Sequence, residues 1–96
     1  MLIAIDFDET LTADPDFWRQ VIDAAYNRGH KVICVTARQD TKSNRDIVET
    51  WMKENDIDDI YTHYTSLASK VAFLSNRGVK VDIWIDDDPR KCALGH

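Results

Sequence analysis

The chain has 96 residues, 44% hydrophobic and 30% charged, and its 17 acids against 12 Lys and Arg give a formal charge of -5. That composition belongs to one folded globular domain, which at this length buries roughly 60–65% of its unfolded surface. The acidic balance argues against a long electrostatic footprint on nucleic acid, while leaving room for a short or terminal nucleic-acid substrate or an anion held through a metal.

The opening residues, MLIAI, are apolar and rich in branched side chains, the pattern of a buried parallel strand. The segment DPDFWRQVIDAAYNRGH then reads as a helix. Asp14 can cap it, Pro15 suits its first position and Gly29 stops it. Phe17, Val21, Ala24 and Ala25 recur at helical spacing and are the expected inner face. KVICV is a second strand with Cys34 as a small core residue, and a loop follows from Thr36 to Thr41.

Ser43 can cap a second helix with Ile47, Val48, Trp51 and Met52 on one face. IYTHYT is a third, weaker strand. A third helix, capped by Thr65 or Ser66, is expected to run through Asn76 and stop at Gly78. VDIWI is a fourth strand and ends abruptly in DDDP. The echo of NRGHKV in NRGVKV reflects turn chemistry reused where a helix turns into a strand. Cys34 and Cys92 are far apart and lack histidine partners, so neither a disulfide nor a zinc site is expected.

No apolar run has the length of a membrane span, and the start lacks the basic segment and cleavage site of a signal peptide; a cytoplasmic location and no membrane partner are expected. Strands alternating with helices predict a single α/β domain over residues 1–96, built on a parallel sheet with right-handed crossovers. Ligands of such sheets bind beyond the carboxyl ends of the strands. Asp6, Asp8 and Thr10 follow the first strand, Thr36 and Arg38 the second, and Asp86, Asp87 and Asp88 the fourth, with Lys70 near the start of the last helix. Carboxylates crowded at one rim repel one another unless a cation sits among them. All-oxygen ligands that also meet phosphate favour Mg2+. A carboxylate here could attack phosphorus, and an acid two residues further on shares its side of an extended chain and could serve as general acid and base. Lys70 and the Thr36 hydroxyl would then hold phosphoryl oxygens.

Four segments carry a resemblance. IAIDFDETLT resembles the D-x-D-x-T motif of the haloacid dehalogenase (HAD) superfamily of phosphotransferases. VICVTAR resembles its second motif, Lys70 in SLASKVAF its isolated basic third, and VDIWIDDDP its terminal paired acids. They occur in the family's order and span Ile3 to Pro89. The resemblance implies a three-layer, Rossmann-like core with a short, mostly parallel four-stranded sheet. It implies that Asp6 is the nucleophile and a metal ligand, and that Asp8 is the general acid and base, with its backbone carbonyl on the metal. Thr36 and Lys70 would bind the phosphoryl group, and Asp86 and Asp87 would complete the Mg2+ site, with Asp88 an extra acid relative to the pattern. An acid at position 8 goes with the family's phosphatases.

Neither the interval from Asp6 to Thr36 nor that from Thr36 to Lys70 has room for the cap domain many relatives carry. The expected substrate is therefore a phosphomonoester reached through an open site, such as a nucleotide or a phosphorylated nucleic-acid end. The family's usual further strand is missing after Pro89, which makes self-association an expectation. The rival expectation is a non-catalytic binding module on the same fold. Among other residues, Thr10 is expected to buttress the loop, Arg38 and Arg90 either grip an anion or lie exposed, and His63 belongs to a strand or the surface. Trp18, Trp51 and Trp84 are expected to pack, with Trp18 also placed to stack on a base.

Overall fold

The computed structural model describes residues 1–88, so Pro89, Arg90 and Cys92 lie outside the described residues. Four strands, β1 (Leu2–Asp6), β2 (Lys31–Thr36), β3 (Tyr61–Tyr64) and β4 (Ile83–Ile85), alternate with three helices, α1 (Pro15–Asn27), α2 (Lys42–Glu54) and α3 (Lys70–Asn76). The sheet order is β3-β2-β1-β4. Every pairing is parallel, with Ile5 opposite Cys34 on one side and Ile85 on the other. β1 is thus central, and both of its edges are paired.

Side chains alternate across the strands and divide the core in two. Ile5, Val32 and Cys34 pack with Ile22, Ala25, Val48 and Met52 on the face covered by α1 and α2. Ala4 and Val35 pack with Leu74 on the face covered by α3. The result is a helix–sheet–helix α/β fold. Among the described residues no helix is long and apolar enough to cross a membrane.

α1 begins as its sequence dictates. Asp14 accepts a hydrogen bond from the Phe17 N–H, and Pro15 fills the first turn. It ends at Gly29, whose φ of 79° is the left-handed conformation that closes the last turn. Its buried face differs from the expected one. Ile22 and Ala25 are buried and Trp18 and Tyr26 pack beside them, whereas Phe17 and Ala24 are exposed and Val21 is only half-buried. The cause lies in Trp18, whose indole N–H donates to the Thr10 carbonyl at 2.8 Å. That anchor rotates the helix so that positions 18, 22, 25 and 26 face the sheet.

α2 is capped by Thr41 rather than Ser43: the Thr41 hydroxyl accepts from the Asn44 N–H at 3.1 Å. Its buried residues are Val48 and Met52, Trp51 packs at the margin and Ile47 is exposed. α3 starts later than expected. Ser69 is its cap, and residues 65–68 form a tight turn instead of a first helical turn. β4 begins at Ile83 because Asp82 is engaged with Leu2, its N–H donating to the Leu2 carbonyl and its carboxylate accepting from the Leu2 N–H. A short 3-10 turn over Leu11–Ala13 buries Leu11 beneath the loop after β1.

Ile22→Ala should cost about 2–5 kcal/mol of unfolding free energy by denaturant titration. Phe17→Ala should cost less than about 1 kcal/mol. Equal losses would contradict the orientation of α1.

Candidate functional site

Three strand ends and one helix start converge at one rim. Asp6, the last residue of β1, is buried by its neighbours on both sides. Lys70, the first residue of α3, is 2% exposed. Its Nζ donates to Asp6 Oδ1 and to Asp86 Oδ2, both at 2.6 Å. The Asp88 N–H donates to the other oxygen of Asp86 at 3.0 Å. Thr10 is buried and its hydroxyl donates to Asp6 Oδ2 at 3.4 Å, so it buttresses the loop as expected. The Glu9 backbone is left-handed, at φ 63°, and the Thr12 hydroxyl accepts its N–H.

Asp6, Asp86 and Asp87 each bring a carboxylate oxygen within 4.8 Å of the others. Three negative charges against the single ammonium of Lys70 leave a net charge of -2. The pKa of Asp6 records the crowding. It rises from 3.8 to about 6, mainly through burial, with Asp87 and Asp86 pushing the same way and Lys70 opposing them. Asp87 is held below the usual carboxylate range chiefly by its hydrogen bond with Asp6. Burial works against the charge on Lys70, but its two carboxylate partners outweigh that and raise its pKa. A hard divalent cation suits this donor set. It would neutralise the remaining charge, and its preferred ligands are the oxygens present.

Asp8 stands apart from this cluster. Arg38 grips both of its oxygens, through Nε at 3.0 Å and an Nη at 2.8 Å. Arg38 also lies over the Phe7 ring at 5.6 Å and donates to Asn44 Oδ1. Its pKa is raised, first of all by the hydrogen bond to Asp8. Of the two expectations for Arg38, an anion grip or plain exposure, the structure gives it an anion within the chain itself.

Thr36 is fully buried at the end of β2. Its hydroxyl accepts the Arg38 N–H at 3.3 Å, and its carbonyl accepts from both the N–H and the hydroxyl of Thr65. The site cavity, about 290 Å³, is lined by Asp6, Asp8, Glu9, Ala37, Arg38, Leu67, Lys70 and Asp87. Thr36 lies behind this lining, under Ala37 and Arg38. Sequence reasoning passed over Leu67 and Glu9; the sequence shows Leu67 only as an apolar residue between β3 and the last helix, with no signal that marks it.

Trp18 packs against the core, and its indole N–H holds the Thr10 carbonyl. Trp51 meets the Phe7 ring edge-on at 5.2 Å and steadies the residue between Asp6 and Asp8. Cys34 is buried and free, and burial pushes its thiol up to about 12. His63 belongs to β3 and borders a separate groove of about 390 Å³ that shares no lining residue with the site.

Comparison with protein-family models, with curated proteins and with solved structures finds no match. What the fold and the rim define together is a parallel α/β protein with a buried acid–lysine–acid triad at the carboxyl end of its sheet.

An acid with a higher pKa folded than unfolded favours the fold at acid pH, and that contribution is lost as pH rises through the folded value. For Asp6 the window runs from 3.8 to about 6. In chelator, the stability of the wild type minus that of Asp6→Asn should therefore fall across this window, by no more than about 3 kcal/mol. Parallel pH profiles in chemical denaturation would refute the burial of Asp6 as its dominant influence.

Proposed function

We propose that this chain is a magnesium-dependent phosphomonoesterase of the HAD type that works through an aspartyl-phosphate, with a nucleotide or a phosphorylated nucleic-acid end among its candidate substrates. The observation that carries the proposal is Lys70 Nζ placed 2.6 Å from both Asp6 and Asp86, with Asp87 beside them. Residues far apart in sequence thereby meet at the one rim where such sheets bind ligands.

Asp6 is the nucleophile. One of its carboxylate oxygens bonds to phosphorus as the ester P–O bond breaks. Asp8 lines the same cavity and gives its proton to the departing oxygen. It then takes a proton from the water that attacks the aspartyl-phosphate, releasing inorganic phosphate and restoring Asp6. For Asp8 to act in this way, Arg38 must release one of the two oxygens it holds. Lys70 holds the phosphoryl oxygens, while Thr36, whose hydroxyl accepts the Arg38 N–H, fixes the course of the loop that carries Arg38. Mg2+, held by Asp6, Asp86 and Asp87 with the Asp8 carbonyl, would supply charge neutralisation for the phosphoryl group. Its fit rests on the uncompensated charge and all-oxygen donors of the rim.

Wild type with Mg2+ should release phosphate from a generic aryl phosphate and lose that activity in chelator. Asp6→Asn should lower turnover by roughly 10³-fold or more while retaining the folded circular-dichroism spectrum. Mg2+ should raise the melting temperature of the wild type and have a smaller effect on Asp87→Asn. A folded wild type that is stabilised by Mg2+ yet hydrolyses no phosphomonoester would favour the binding-module alternative.

A further inference from the structure

The turn that separates β3 from α3 has an unusual conformation for its sequence. Ser66 and Leu67 both have positive φ, at 53° and 67°. The Ala68 N–H closes the turn onto the Thr65 carbonyl at 3.0 Å. Two central residues with positive φ inside such a hydrogen bond match a type I′ turn, whose sequence preference is Asn-Gly. Here the pair is Ser-Leu, and a leucine in this region is strained.

The strain is imposed from outside. Thr65 N–H donates to the Thr36 carbonyl at 2.9 Å, Ser66 N–H to the Arg38 carbonyl at 3.2 Å, and Leu67 N–H to the Ala37 carbonyl at 2.8 Å. The Ser66 hydroxyl accepts the Asp40 N–H. The turn is thus stitched residue by residue to the loop that carries Arg38. Packing does not explain the choice of leucine. Leu67 belongs to neither core cluster and is 47% exposed. Its side chain lines the site cavity, where Ala37 is its one apolar companion among charged residues. Strain held in place by its surroundings at the edge of a site points to use of the side chain itself.

We infer that Leu67 is the platform for the leaving group, and that it selects phosphomonoesters whose alcohol carries an apolar ring. This rests on the phosphatase reading above and specifies its substrate class. With phosphorus at Asp6 and the departing oxygen at Asp8, the rest of the alcohol lies at the cavity mouth. A ring there covers Leu67 and Ala37 and removes their apolar surface from water; a short alkyl or polyol group does not.

The test compares kcat/KM for benzyl phosphate and for ethyl phosphate, two esters of primary alcohols, in wild type, Leu67→Gly and Leu67→Asn. Both replacements tolerate positive φ. The wild type should favour benzyl phosphate, and both variants should lose about fivefold of that preference, through KM for the benzyl ester. Leu67→Gly should also melt at a higher temperature than the wild type, because it relieves the strained turn. A preference unchanged within twofold in both variants would overturn the inference and leave the phosphatase intact. A lower melting temperature in Leu67→Gly would remove its structural basis. A wild type that hydrolyses neither these esters nor an aryl phosphate would fail the phosphatase reading itself, and the inference with it.

Discussion

The ammonium of Lys70 between Asp6 and Asp86 is the contact on which the rim depends. It ties the start of α3 to the adjacent ends of β1 and β4, which the sheet pairing brings together but does not join to the helix. Buried charges are tolerated only when paired, and a partner removed leaves the remainder uncompensated. The pairing here is incomplete, since one lysine faces three carboxylates. The fold therefore holds an electrostatic imbalance at the carboxyl end of its sheet, the rim at which parallel α/β sheets bind ligands. A proton on Asp6 relieves it in part, and a divalent cation would relieve it further. Stability and the proposed activity are coupled through the same few atoms.

Around that centre the architecture is economical. Tight parallel pairing on both sides of β1 fixes the direction of Asp6. Phe7, wedged against Trp51, fixes the step to Asp8. Arg38 then holds Asp8 at the cavity wall from the neighbouring loop, and the 65–68 turn is hydrogen-bonded to that loop in its turn. The walls of the site are thus supported by one another more than by the core. The conformational cost of Ser66 and Leu67, about 1–2 kcal/mol each, is carried by those hydrogen bonds.

Much of this was legible in the sequence. Branched apolar runs marked the strands, and the Asp14–Pro15 and Gly29 signals placed α1 at its correct bounds. The convergence of the acids after β1 and β4 was legible because a parallel sheet delivers the residues that follow its strands to one rim. What escaped was decided by tertiary contacts. The inner face of α1 was misplaced by treating Phe17 as core, since nothing in the periodicity reveals the hydrogen bond from Trp18 to Thr10. The cap of α2 fell on Thr41 rather than Ser43, two residues with equivalent capping chemistry and little to separate them. α3 began at Lys70 behind the Ser69 cap, because Ser66 and Leu67 take positive φ and the 65–68 segment cannot form a right-handed helical turn. The Asp8–Arg38 pair links positions thirty residues apart, a relation that only the folded sheet makes visible.

The position of β1 has a consequence for the way the molecule comes into being. β1, the first of the described strands, is central in the sheet, and one of its two neighbours is the last strand described. β1 can pair with β2 early, but its other edge, and the second carboxylate held by Lys70, must wait for residues 83–86. Pairings so distant along the chain close slowly, after the local elements have formed. The acid cluster is therefore among the last features to assemble. A nascent chain that stops short of Asp86 would leave the Lys70 ammonium with Asp6 as the one remaining member of its carboxylate pair, so the rim would lack the contact that ties β4 to α3.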